Sequence, residues 1–388
     1  MPKALINGDL VRWARERADL EPDELARRIG LKPDRVLEWE NGFDQPTFKQ
    51  AMRLADVTHV PLGYLFLSEP PTDAIPLPDL RTVGSEPATP LDSNFRDLLQ
   101  DVLFKHSWFV NHLANHGNES LPFVGRYNSN SNADAVARDI RNTLDLAGAA
   151  AASPNWESYL RLLIDRAENA GIWVMRTGIV GSNTHRPLSV RQFRGFAIAD
   201  RLAPLIFING KDALAAQIFT FAHELAHIWL GSSGISNLQI SRSDYGTSRA
   251  TEVLCNRIAA EVVLPASDFN LNWSDARSPA DNYDALSRLF KVSRIVVARR
   301  ALDLGKIADD DYSLFFRREE ERWEEERRSA ENSGGNFYNT LPLRNGARFT
   351  RAVVSRAVSG DTLLRDAGTL LNMQPTSVIK YFRKAMSR

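Results

Sequence analysis

Cysteine is nearly missing from this chain: Cys255 is the single one in 388 residues. No intrachain disulfide can form, which suits a reducing compartment. Long apolar runs are missing as well, since nothing approaches the roughly 18 consecutive apolar residues that a membrane span requires. The opening MPKALINGDLVRW lacks a cationic segment followed by an apolar stretch. No secretory signal and no membrane partner are therefore expected, and a cytoplasmic chain is. Net charge is missing too. With 48 Lys+Arg against 48 Asp+Glu, the whole-chain balance decides nothing about nucleic acid, and local asymmetry must. What is present is an ordinary globular balance, 43% hydrophobic and 25% charged. The length suits roughly two to four folding units.

Residues 7–67 carry apolar positions at helical spacing: Leu10, Val11 and Ala14; Leu25, Ala26 and Ile29; Val36 and Trp39; Ala51, Leu54 and Ala55. Pro46 and Pro61 stand near expected helix starts. The proline-dense stretch 68–90 reads as a linker. An amphipathic helix is expected over 91–120, a polar loop at 129–135 and helix from 133 to 170. Strands follow at 171–180, 193–200 and 204–210, then helices at 211–231, 247–263, 279–290 and 293–304. A charge-laden helix with acids and arginines at i,i+4 spacing covers 309–331, and Ser-Gly-Gly-Asn at 333–336 breaks it.

The most specific chemistry lies in FTFAHELAHIWLG (219–231). His223 and His227 are four apart, so on a helix both imidazoles leave one face and can reach one Zn²⁺. Glu224, one residue on, stands beside the metal, where a general base for water belongs. The neighbours Phe219, Phe221, Ala222, Ile228 and Trp229 mark a helix that a core would bury. A buried helix with two histidines and a glutamate needs a compensating partner, and a metal supplies one. Catalytic zinc takes a third protein ligand and keeps a fourth position open. The best candidate is Glu252 in TEVLCNRIAAEVVLP (251–265), 25 residues past His227. The Gly/Ser-rich stretch 231–248 between them is long enough to reverse the chain. Glu261 competes, but nine residues turn it about 180° from Glu252 around the helix, so only one of the two can face the metal. Cys255 could ligate as a thiolate, though its apolar neighbours favour a small buried hydrophobe. His112 and His116 share the i,i+4 spacing without an intervening glutamate, and a helix face is preferred there to a second metal site. His59, His106 and His185 are assigned nothing.

The pair HELAH (223–227) and EVLCNRIAAEVVLP (252–265) resembles the ImmA/IrrE family of bacterial and phage metallopeptidases. That family's second motif runs Glu, two residues, Ala-Asn, one residue, Phe-Ala-Ala, then a short apolar stretch ending in Pro. Here Cys255 stands for the Ala and Ile258 for the Phe, while Glu252, Asn256 and Pro265 keep their places. The resemblance covers about residues 155 to 310. It implies His223, His227 and Glu252 as ligands of one zinc ion and Glu224 as the catalytic residue; two imidazoles and a carboxylate can also hold Mn²⁺. It further implies helix-turn-helix repressors as the substrate class.

Residues 22–42, PDELARRIGLKPDRVLEWENG, resemble the helix-turn-helix of phage-repressor-like (XRE-type) regulators. Ala26 is small where two helices cross, Gly30 turns the chain, and Leu25, Ile29, Leu31, Val36 and Trp39 fill a core. The second helix, from about Pro33, would enter the major groove with Lys32, Asp34 and Arg35 nearest to DNA. Charge tempers this: residues 1–70 hold ten Lys/Arg against twelve Asp/Glu, poor for phosphate affinity. The same spacing recurs twice, as Ala26/Leu31/Val36, Ser287/Val292/Val297 and Gly368/Met373/Val378, with turn positions Gly30, Lys291 and Asn372. The last copy lies in a basic tail, since residues 341–388 carry nine Lys/Arg against Asp361 and Asp366, a net +7. Residues 361–386 can accordingly form either a second helix-turn-helix contacting DNA or an acidic partner, or an ordinary helical hairpin with solvated charges.

The expected fold is mostly α, with a five-helix repressor-like helix-turn-helix, a small α+β zincin-like domain and a basic helical C-terminal region. The expected divisions are 1–68, a linker at 69–90, a helical connector at 91–150, the metallopeptidase domain at 151–310, a charged helix and linker at 311–336, and 337–388. Two functions fit. One is a zinc endopeptidase fused to a DNA-binding module, cleaving a regulatory protein of a stress, phage or toxin-antitoxin locus. The other is a DNA-binding regulator or antitoxin whose peptidase-like domain docks a repressor or toxin with little cleavage. A homodimer is compatible with both.

Overall fold

The computed structural model describes residues 2–71, 91–236, 247–329 and 337–386. Most of the expected linker (72–90), much of the Gly/Ser-rich stretch (237–246), and the end of the expected charge-laden helix with the break at 333–336 lie outside the described residues. The chain divides into two compact units, one built from Met1–Pro76 with Pro90–Asp101 and the other from the rest. Among the described residues no helix is long and apolar enough to cross a membrane.

The first unit holds α1 (Gly8–Arg17), α2 (Pro22–Ile29), α3 (Pro33–Glu40), α4 (Phe48–Thr58), a 3₁₀ helix (Leu62–Phe66) and the start of α5 (Ser93–Asn115). Its helices begin where the sequence supplies start signals. Pro22 and Pro33 occupy first-turn positions, where a missing N–H costs nothing. Thr47 and Gln50 form a reciprocal capping box ahead of α4. Val11, Ala14, Leu25, Ala26, Ile29, Val36, Trp39, Ala51, Leu54 and Ala55 meet in one core. Most cations of this unit are tied to its own acids: Arg15 to Glu40, Arg17 to Asp97, Arg28 to Glu24, and Lys3 to Asp44.

The second unit continues with α6 (Ala133–Thr143), α7 (Ala149–Ala152), α8 (Trp156–Asn169), β1 (Trp173–Thr177), β2 (Ile179–Val180), β3 (Asn183–Pro187), β4 (Gly195–Ile198), β5 (Leu205–Asn209), α9 (Leu214–Leu230) and β6 (Gly234–Ser236). Then come α10 (Thr247–Val263), α11 (Ala266–Asn272), α12 (Pro279–Phe290), α13 (Arg294–Asp303), α14 (Asp309–Ser329), α15 (Phe337–Asn345), α16 (Ala347–Ser359), α17 (Leu364–Leu371) and α18 (Pro375–Met386). Four strands form a mixed sheet in the order β1-β5-β4-β6, with β1 parallel to β5 and the other pairs antiparallel; β2 and β3 pair separately. β4 and β5 are buried on both faces, so they read as continuous apolar words rather than alternating ones. The helix expected from 133 to 170 is three helices. Asp145 and Gly148 take left-handed backbone, φ +50° and +68°, between α6 and α7. The strand expected at 171–180 is two, β1 and β2.

A buried polar network fastens α15 and α16 to the β1 edge. Trp173 donates its indole N–H to the Asn345 carbonyl at 2.6 Å, and the fully buried Lys105 ammonium donates to the Asn345 side chain at 3.0 Å. The Glu168 carboxylate accepts the first N–H groups of α16, from Ala347 at 3.0 Å and Arg348 at 3.1 Å. A carboxylate at a helix N-terminus satisfies orphan donors and complements the helix dipole.

The three equally spaced triplets become three helix pairs with one turn. Gly30, Lys291 and Asn372 are left-handed, with φ of +76°, +56° and +52°. The next amide in each case donates back into the preceding helix: Leu31 to Ala26 at 2.8 Å, Val292 to Ser287 at 3.3 Å, Met373 to Gly368 at 2.9 Å. That is the six-to-one bond of a left-handed helix terminus. A new helix starts three residues after each turn.

Candidate metal centre

α9 is buried from Gln217 to Trp229, an apolar helix that packs on β4, β5, α8 and α10. Its end is fixed by the loop before α6: Gly125 and Tyr127 donate to the carbonyls of Ile228 and Trp229, each at 3.0 Å, and the Trp229 indole donates to Asp139 at 2.9 Å. Into this rigid rod are set His223, Glu224 and His227, all three fully buried. α10 runs alongside and presents Glu252.

The three side chains converge. His223 Nε2 and His227 Nε2 are 3.0 Å apart. Glu252 brings Oε2 to 3.2 Å from the first and Oε1 to 3.1 Å from the second. Among the described residues this is the one group of three such side chains whose ligand atoms all lie within 4.8 Å of one another. Donors held about 2.0–2.1 Å from a tetrahedral Zn²⁺ stand about 3.3 Å from each other, so the spacing fits a shared cation. Two neutral imidazole nitrogens facing each other at such a distance also have no reason to be buried together without one. Asn256, one turn past Glu252, takes the His223 Nδ1–H on its side-chain oxygen at 3.0 Å. That bond fixes the tautomer and leaves Nε2 as the lone-pair donor, the usual support for a ligating histidine. The donor set fits zinc.

Electrostatics agree. Burial pushes the Glu252 carboxyl up, but His223 and His227 outweigh it and hold the group at about 2, an anion at neutral pH. Burial lowers His227, aided by the neighbouring His223 ring. Burial also lowers His223, but Glu252 more than offsets this and the net direction is up. The pocket therefore draws positive charge to the point where the three groups meet.

Glu224 projects differently from its neighbours, toward β4. A Cβ built on Gly195 would stand 3.0 Å from Glu224 Oε1 and 2.6 Å from the Thr220 methyl. Gly195 is what lets α9 and its glutamate lie this close to the strand. Neither Gly195 nor the role of Asn256 comes out of sequence reasoning. Asn256 had a signal, its i,i+4 spacing from Glu252; Gly195 had none, because a strand-to-helix approach is not encoded locally.

The remaining candidates fall elsewhere. Glu261 pairs with Arg300 and accepts from the Ala266 amide, away from the histidines. Cys255 is fully buried in the apolar core, and burial pushes its thiol well up. His112 stacks on Trp108, while His116 Nδ1 donates to the His112 carbonyl at 2.7 Å. In the first unit Lys32 is the N-cap of α3 and is exposed, as is Asp34 in the first turn. Arg35 is bonded to Glu38 and Asp44. The Asp44 carboxyl is held well below its ordinary range by Lys3, the Gln45 amide and Arg35.

Comparison with known families matches residues 167–302 to the peptidase M78 family, described as an IrrE N-terminal-like domain. Residues 11–65 match a helix-turn-helix family, which supports DNA binding by the first unit. Residues 345–384 match a domain of unknown function, DUF8813. A search of curated proteins returned no match. The M78 match spans α9, α10 and all three converging side chains. This chain thus joins an N-terminal helix-turn-helix domain to a metallopeptidase-like, IrrE N-terminal-like domain of the peptidase M78 family.

Proposed function

We propose that the protein is a zinc-dependent endopeptidase that cleaves a regulatory protein, acting in the cytoplasm at a stress, phage or toxin-antitoxin locus to which its helix-turn-helix domain directs it. The observation that supports this most is the meeting of His223, His227 and Glu252 within 4.8 Å, with Glu224 on the same buried turn. Zn²⁺ held by His223, His227 and Glu252 would supply Lewis acidity toward a peptide carbonyl and lower the pKa of the attacking water. The chain's own residues do the rest. Asn256 orients His223. Glu224, set against β4 at Gly195, accepts a proton from the water and returns it to the leaving amine. The apolar packing of α9 on the sheet excludes bulk solvent from one side of the group. Mn²⁺ is the alternative occupant, since two imidazoles and a carboxylate suit either ion.

The helix-turn-helix in the same chain favours a second reading, a DNA-binding regulator or antitoxin whose peptidase-like domain docks a partner with little cleavage. One variant separates the two. Glu224→Gln retains the metal ligands and removes the base, so zinc content by atomic absorption should be unchanged. Proteolysis of a helix-turn-helix repressor offered as substrate should fall by about 10²–10⁴-fold. Retained cleavage would overturn the role of Glu224; retained regulation without cleavage would favour docking.

A further inference from the structure

The turn shared by α2–α3, α12–α13 and α17–α18 leaves the last pair with a surface that the others lack. In α12–α13 the second helix is absorbed by the core: Ile295, Val296, Val297, Ala298, Arg300 and Ala301 are all buried. In α2–α3 the second helix is open, but it exposes Asp34 and Leu37, its Arg35 is held by two acids, and Asp23 and Glu24 occupy the first turn of α2. In α17–α18 Val378 is fully buried, whereas Thr376, Lys380, Arg383 and Lys384 are exposed. At 100° per residue these four side chains share an arc of about 100°. α18, PTSVIKYFRKAM, contains no acid. Arg365, whose side chain is 80% exposed, stands in the first turn of α17 and pairs there with Asp366 at 3.2 Å; an ion pair this exposed is worth little and yields to a phosphate, which a helix N-terminus favours.

We propose that α17–α18 is a second duplex-DNA-binding element. In a helix-turn-helix the second helix enters the major groove while the first crosses the backbone. α18 would present Thr376, Lys380 and Arg383 to the groove and its phosphate rims, with Arg365 on the flanking backbone. Size agrees, since an α-helix of about 10–12 Å diameter fits a groove about 12 Å wide. Charge agrees as well, since residues 341–388 net +7 while the rest of the chain nets −7. A cationic stripe along the exposed face of one helix matches the curved rows of phosphates that flank a groove. The site is separate from the metal centre and does not depend on the peptidase reading.

The test uses the full chain and a labelled mixed-sequence 30-base-pair duplex, titrated by fluorescence anisotropy across a salt series. Each phosphate contact is worth a factor of about 8 at 0.1 M salt, from a slope of about 0.9 per contact. Lys380→Gln with Arg383→Gln should therefore weaken binding on the order of 60-fold and flatten the log–log salt slope by about 2. The exchange Lys380→Arg with Arg383→Lys should retain binding. Lys380 should also be protected from acetylation by bound duplex in the unaltered protein, read by mass spectrometry. An unchanged affinity and slope in the double variant would overturn the proposal. So would full acetylation of Lys380 under saturating duplex, or displacement of the duplex by poly-glutamate as effective as by unlabelled DNA, which would make the stripe an acidic-protein face.

Discussion

At the turn of α2–α3 stands Gly30, at that of α12–α13 Lys291 and at that of α17–α18 Asn372, yet all three take left-handed backbone and restart a helix three residues later. The backbone solution is common because a small residue, an apolar residue after the turn and a β-branched core residue recur at five-residue intervals. What the pairs can do is set by the other face of the second helix. α13 spends that face on packing, α3 on acids and a leucine, α18 on lysine and arginine. A shared motif therefore fixes shape and leaves use to the outward side chains.

The comparison breaks most readily at α13. Arg300→Ala leaves Glu261 largely buried without its cation, and loss of one partner of such a pair costs about 3 kcal/mol. Calorimetry should show the second unit melting several degrees lower; an unchanged melting temperature would mean that α13 is held by apolar packing alone. Gly30→Ala is smaller. The nearest atom to the new methyl, Arg53 Nη1, is 3.7 Å away, so the cost is the left-handed backbone itself, about 1 kcal/mol. Urea denaturation followed through the first unit measures it, and no loss would show that the turn tolerates a side chain as the other two do. Lys291→Gly should have the smallest effect. Relief of about 1 kcal/mol in the backbone opposes loss of the Lys291 Nζ bond to the Arg288 carbonyl, 2.7 Å, itself worth about 1 kcal/mol. Urea denaturation followed through the second unit should find stability within about 0.5 kcal/mol of the parent.

Much of the site was legible because it lies on helices. His223 and His227 share a face by periodicity alone, and Glu252 follows from the need for a third ligand and the chain length available to deliver it. The helix-turn-helix was legible through Ala26, Gly30 and Val36. What stayed hidden depended on partners distant in sequence. β3 (Asn183–Pro187) is polar and β6 (Gly234–Ser236) is three residues long; each is a strand because of what it pairs with, not what it contains. The break between α6 and α7 was hard to see because Asp145, a residue that seldom takes left-handed backbone, does so there; the break between α7 and α8 falls at Ser153-Pro154-Asn155, where the proline and the Asn155 cap were available signals. The opening of space at Gly195 belongs to the class of β3 and β6.

The Glu168 carboxylate that receives the first amides of α16, together with the Lys105–Asn345–Trp173 contacts, pins the end of α15 and the start of α16 to the outer strand β1. Residues far apart in the sequence thereby share one anchor, so where α16 begins is decided by the end of α8 and by β1 rather than by its own first turn.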